Sequence, residues 1–254
     1  MAICAKLHLM SKDEAYLIGP AHAKAIAKRR GVSSAHAMNV LSRLVQRGKA
    51  RRLAKGVYGP AARARVRTLE TTPAMRRVAR AMTERLPALQ PVISSTAQVA
   101  QLMHNAPVRE IVLVEIARPF AADVARALGA KGLQALLVAN RSDMERLAAL
   151  SGQVIVAVIP IGELRASMPF AGVRIARPER LLVDLAVERE RIGLPIYAED
   201  LRAVGESLLA EYEFSVSRAL DYARRRRAYD ETSELLHSVV DRNERLRPYA
   251  AALP

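Results

Sequence analysis

Residues 110–159, EIVLVEIARPFAADVARALGAKGLQALLVANRSDMERLAALSGQVIVAVI, decide the fold class. Glu110 to Ile116 is an apolar run of strand length, and Phe120 to Leu128 then spaces its apolar residues as a helix does. Ala135 to Val138, Asp143 to Leu150 and Val154 to Ile159 repeat the cycle as strand, helix and strand. Such alternation predicts an α/β layer around a buried sheet, mixed or parallel, because a strand that is apolar on both faces must be covered on both. Further out, Ala74 to Leu86 reads as a helix closed by Pro87. After Val173-Arg-Ile-Ala comes R-P-E-R-L-L-V-D-L, a proline-started helix with Leu181, Leu182 and Leu185 turned inward. Glu199 to Arg242 reads as two or three amphipathic helices carrying a basic knot at Arg224 to Arg227. The sequence contains no internal repeat and no low-complexity tract.

The amino-terminal part follows a different grammar. From His22 a short helix, with Ala23, Ile26 and Ala27 inward, is stopped by Gly31. Ser33 or Ser34 is placed to cap a second helix, Ala35 to Arg47, whose stripe of Val40, Leu41, Leu44 and Val45 ends at Gly48. Ala50 and Leu53 can then face the core, Lys55-Gly56 supplies a turn, and Val57-Tyr58 returns as a second strand before Pro60. Helix, tight turn, helix and hairpin make a winged helix-turn-helix. The expected organisation is a winged helix over residues 1–60, a basic linker over 61–72, and an α/β domain with a C-terminal helical part over 73–247, α+β overall.

Charge separates these parts. The 254 residues carry a formal net charge of +15, and Met1 to Gln90 holds nineteen Lys and Arg against four acids. The rest balances twenty-one bases against twenty-one acids. So lopsided a field suits a domain that neutralises phosphates joined to one that does not. The longest apolar run, Val154 to Ile161, is far short of the roughly 20 residues of a membrane helix. No span is expected, and the opening residues predict no export signal. Cys4 is the sole cysteine, which excludes an internal disulfide and fits a reducing cytoplasm. His8, His22, His36, His104 and His237 are scattered without metal-ligand spacing, so neither metal nor cofactor is expected.

In a winged helix the second helix enters the major groove with its amino-terminal, outward residues nearest the bases. Those residues are Ser34, His36, Asn39 and Arg43. Asn39 can pair with an adenine edge and Arg43 with a guanine edge, both bidentately. Arg47, Arg51, Arg52 and Lys55 are placed to straddle the backbone or to enter the minor groove at the wing tip. The plainer alternative is that these cations solvate a helix and an edge hairpin. Tyr58 fits a core anchor of the wing better than a stacking platform.

Glu110, Glu115 and Asp184 invite an enzyme test. A metal-dependent nuclease needs converging carboxylates and usually a nearby lysine, but Lys131 is the only lysine beyond residue 90. Phosphate-loop, dinucleotide-binding, nucleophile-elbow and zinc-protease motifs are all missing. No catalysis is expected. Asp184 reads as an acceptor for a backbone group or an arginine, and Glu115 as the partner of an arginine at the strand end. The Arg224 to Arg227 run reads as a solvated face with one or two stems packed; its alternative is a second nucleic-acid or protein contact.

Two segments carry a family resemblance. L-S-R-L-V-Q-R-G-K-A-R-R-L-A-K-G-V-Y, Leu41 to Tyr58, resembles the amino-terminal winged helix of AbiEi-type antitoxins. I-A-R-P-E-R-L-L-V-D-L, Ile175 to Leu185, is similar to a signature of that family's carboxyl-terminal domain. The resemblance implies a bacterial, cytoplasmic antitoxin of a type IV toxin-antitoxin (abortive infection) system, paired in its operon with a nucleotidyltransferase toxin. It further implies a transcriptional autorepressor that binds operator inverted repeats as double-stranded DNA, two copies to a repeat. The family's basic helix and wing fall on Arg43, Arg47, Arg51, Arg52 and Lys55. Direct contact with the toxin is left open. Two other readings stand beside this one: a winged-helix transcription factor with a ligand-sensing α/β domain and no toxin partner, and a nucleic-acid-processing enzyme.

Overall fold

The structure is a computed structural model that describes residues 27–28, 31, 33–47, 50–54, 57–60, 67–161 and 164–253. Ala27 and Lys28 are helical, and Gly31 sits at φ 64°, the left-handed conformation that ends a helix turn without Cβ strain. Helix α1, Ser34–Gln46, follows, and Ser33 caps it by accepting from the backbone N–H of His36 at 3.1 Å. Strands β1, Ala50–Ala54, and β2, Val57–Pro60, form an antiparallel hairpin in which Arg52 faces Tyr58. Leu41, Leu44 and Tyr58 bury together with Ala27 in a small core. The rest of the first helix, including Ala23 and Ile26, and the Lys55-Gly56 turn lie outside the described residues.

The body is an α/β fold around a six-stranded mixed sheet. In chain order its elements are α2 (Pro73–Arg85), β3 (Val92–Ser95), β4 (Glu110–Ile116), α3 (Ala121–Gly129), β5 (Ala135–Leu137) and α4 (Arg141–Ala148). There follow β6 (Val154–Pro160), β7 (Ser167–Phe170), β8 (Val173–Ala176), α5 (Pro178–Ile192), α6 (Ala198–Glu211), α7 (Val216–Arg226) and α8 (Tyr229–Arg242). The strand order is β5-β6-β4-β3-β8-β7. Pairs β5/β6, β4/β6 and β3/β8 are parallel, while β3/β4 and β7/β8 are antiparallel.

Alternation along the strands divides the core into two. Val112, Val114, Val156 and Val158 face α2 and α3, whereas Ile111, Leu113, Ile155 and Ala157 face the layer built from α4 to α8. Glu115 is two residues on from Leu113, so it points to the same multi-helix side. The proline-started helix forms as its sequence predicts, with Leu181, Leu182 and Leu185 fully buried, and Gly193 closes it at φ 73°.

Two contacts join the amino-terminal part to the body. Within the segment read as a basic linker, Arg67 bridges to Tyr212 and pairs with Glu211 at 2.8 Å, and Leu69 is buried. Leu53 is fully buried in the same apolar cluster as α5 to α8, so the wing is docked on the body.

Candidate nucleic-acid interface and buried ionic cluster

Helix α1 is amphipathic, and its outward face carries the expected base-reading residues. His36, Asn39, Arg43 and Arg47 are all exposed, and their spacing of three, four and four residues sets them in one stripe opposite Leu41 and Leu44. Ser34 is the first residue of α1 and Arg51 lies in β1, but their side chains, like the whole of Lys55, fall outside the described residues. Arg52 is exposed yet turned elsewhere. It lines a cleft between this module and the body, together with Arg165, Arg218 and Asp221. The stripe and the cleft therefore divide the cations that sequence reasoning grouped as one set.

The acids tested for catalysis are built into an ionic cluster inside the body. Arg180 of α5, fully buried, donates from Nε to Glu115 and to Asp184, both at 3.0 Å, and from Nη2 to Glu115 at 2.5 Å. Its Nη1 donates to the carbonyl of Arg165 at 2.9 Å. From α7, Arg226 donates to Glu115 at 3.3 Å, to Glu188 at 2.6 Å and to Asp184. Tyr222 donates its hydroxyl proton to Asp184 at 2.7 Å and lies under the Arg180 guanidinium, 4.9 Å from ring centre to carbon. Glu115 and Asp184 thus pair with arginine, though the arginines come from helices rather than from the strand end.

Electrostatics follows from burial. Burial first, and then the charge of Glu115, push the Asp184 carboxyl up to about 8 against the pull of Arg226 and Arg180. Burial alone would lower the Arg180 and Arg226 guanidinium groups, but Glu115 and Asp184 outweigh it and hold both above their ordinary values. Burial also raises Glu179, whose Oε1 accepts from Ser215 N–H at 2.8 Å and from Arg218 at 2.7 Å. Helices α5 and α7 are therefore joined by charge near both ends, by Glu179 to Arg218 and by Asp184 and Glu188 to Arg226.

The sequence reading allowed one or two packed stems in the run that holds Arg226 but did not single that residue out, and it passed over Glu188 and Tyr222 altogether. Within the basic run, Arg224 pairs with Asp221 at 2.9 Å and stacks on Tyr229, as a surface residue does. Arg226 instead buries its charged head, its side chain only 7% exposed. A signal existed: Val216, Ala219, Leu220 and Ala223 fix the inner face of α7, and helical spacing carries that face on to residue 226.

Residues 37–242 match a family described as one of unknown function, DUF6577. The match spans most of the chain, and the protein belongs to this family. No curated protein matches the sequence. Among the described residues, no helix is long and apolar enough to cross a membrane.

Proposed function

We propose that the protein binds double-stranded DNA by seating α1 in the major groove, and that it acts as a transcriptional repressor of its own operon. One observation carries this reading: the His36, Asn39, Arg43 and Arg47 stripe stands exposed on a helix whose opposite face is buried. The concentration of positive charge in residues 1–90 supports it. The resemblance to AbiEi-type antitoxins extends the proposal to an antitoxin paired with a nucleotidyltransferase toxin, binding inverted repeats as two copies, without cofactor or catalytic activity of its own.

The test is a gel shift of the full chain on its own promoter, compared with a scrambled duplex of equal length. Arg43→Ala should weaken promoter binding by about 1 to 3 kcal/mol and relax preference at one base position, leaving scrambled DNA nearly unaffected. Equal loss on both duplexes would show that α1 is not the reading helix. Co-expression with the product of an adjacent nucleotidyltransferase gene tests the antitoxin part: growth should be rescued by this protein, and absence of rescue removes that role while leaving DNA binding to stand.

A further inference from the structure

An edge strand presents unpaired backbone groups to any strand that can reach it, and the six-stranded sheet ends in β5 on one side and β7 on the other. At its edge β7 carries Pro169, which has no N–H to offer an incoming strand. The β5 edge has no such guard. Residues 133–138, LQALLV, hold neither charge nor proline, and β5 follows β6 in unbroken register. Although α3 and α4 pack against this strand, Ala135, Leu136 and Leu137 all remain half-buried.

Hydrogen bonds fix which groups of the edge are open. Val156 N–H donates to the Gln134 carbonyl, and Val138 N–H to the Val158 carbonyl, both at 2.9 Å. Gln134, Leu136 and Val138 therefore face β6, and by alternation Ala135 and Leu137 turn their N–H and C=O groups to the free side. Among the described residues nothing pairs with those groups. The outward positions to either side are already closed within the chain. Leu133 N–H donates to the Leu128 carbonyl at 3.2 Å, Ala139 N–H donates to Asp143 at 3.0 Å, and the Ala139 carbonyl accepts from Arg191 at 2.9 Å. What is left is a short open window centred on Leu136.

We propose that β5 pairs antiparallel with β5 of a second copy of this chain, about a two-fold axis that passes beside Leu136. In this register Ala135 of each copy lies opposite Leu137 of the other, and each such pair exchanges both of its backbone bonds, so every open group on both edges is used. Leu136 meets its own counterpart at the axis, one half-buried leucine against another. Closed positions also meet closed positions, because Leu133 falls opposite Ala139. A longer strand from another protein would run past the window and leave its own groups unpaired against those closed positions, which favours a second copy over a foreign peptide. The pairing gives a surface to the two copies that an inverted repeat asks for, but it does not rest on the DNA-binding reading.

The test uses the full chain without DNA. Sedimentation equilibrium should show monomer and dimer exchanging at micromolar concentration. Ala135→Pro removes an outward N–H and none that β6 uses, so it should raise the dimer Kd roughly tenfold or more while the far-UV dichroism stays that of the wild type. Cysteine crosslinking reads the register, in a Cys4→Ser background so that no native thiol competes. Leu136→Cys should give a covalent dimer on addition of a thiol oxidant, since residues at a non-hydrogen-bonded antiparallel position lie about 4.5 Å apart at Cα, within disulfide reach. Ala135→Cys should crosslink far less, because its own counterpart lies on the diagonal, about 7 to 8 Å away. A chain that stays monomeric overturns the proposal and leaves the edge to a strand of another protein. A dimer that survives Ala135→Pro undiminished, or that crosslinks equally through both cysteines, overturns it by placing the interface elsewhere. Should Ala135→Pro fail to fold, the contrast between the two cysteines decides alone. No arm contains DNA, so a protein that shifts no promoter can still pass them all, and the pairing and the DNA-binding reading fail separately.

Discussion

Arg226 is the cation on which Glu115, Asp184 and Glu188 converge from two elements. Removing one partner of a buried ionic group strands the rest, which costs far more than the assembled pair contributes. Arg226→Ala should therefore lower stability by about 3 to 5 kcal/mol, read as a urea midpoint, whereas Arg126→Ala, which breaks an exposed pair with Asp123, should cost about 0 to 1 kcal/mol. Similar losses in the two variants would contradict the cluster as described. Asp184 supplies a second prediction at this scale. Its carboxyl is raised in the folded protein, so the native state holds a proton that the unfolded chain releases at lower pH. That stability is complete below the ordinary aspartate range and is lost as pH rises toward about 8. One such proton gives a slope of at most about 1.4 kcal/mol per pH unit, negative with rising pH. Asp184→Asn should flatten the slope between pH 5 and 8, as followed by urea midpoints across that range. A variant that keeps the wild-type slope places the titrating proton elsewhere.

At the scale of elements, α7 is the joint of the molecule. It is bonded to α5 through Arg218 and Arg226 and packs against β1 of the hairpin, whose Leu53 is buried in the body's core. Leu53→Ala removes an anchor with no exposure at all, and should cost about 2 to 5 kcal/mol by urea midpoint while speeding amide exchange in β1 and β2. Exchange that accelerates uniformly over the body instead would mean that the hairpin is not separately held. The elements differ in how well their sequences announce them. Glu110 to Ile116 and Val154 to Pro160 are continuous apolar runs, and both form central strands. By contrast, β3 reads Val-Ile-Ser-Ser, and its strand hides behind Ser94 and Ser95, which are buried beside β4 instead of exposed. Strand β7 includes Pro169, tolerable because β7 is the edge of the sheet. The outward stripe of α1 was legible because amphipathicity fixes its phase locally. The cleft and the ionic cluster were not, since each joins residues far apart in sequence, as Glu115 and Arg226 are.

Across the whole molecule, the positive charge and the apolar core are distributed differently. Charge singles out residues 1–90, yet Leu53 and Leu69 of that stretch are buried in the core of the electrically balanced remainder. Cutting the chain after residue 72 would expose both leucines, so DNA binding is to be measured on the intact protein. There the charge distribution makes its own quantitative demand. If residues 1–90 place about five of their nineteen cations on phosphates per protomer, displaced counterions make log affinity fall against log salt with a slope of about −4 to −5. Arg47→Ala should make that slope shallower by about 1 and weaken promoter and scrambled duplexes alike, which distinguishes a phosphate contact from the base contact expected of Arg43. Fluorescence anisotropy over a series of NaCl concentrations reads both quantities. A slope near zero would mean that the excess charge serves some end other than DNA. A full slope that Arg47→Ala leaves untouched would keep DNA as the partner while moving its path off the exposed face of α1.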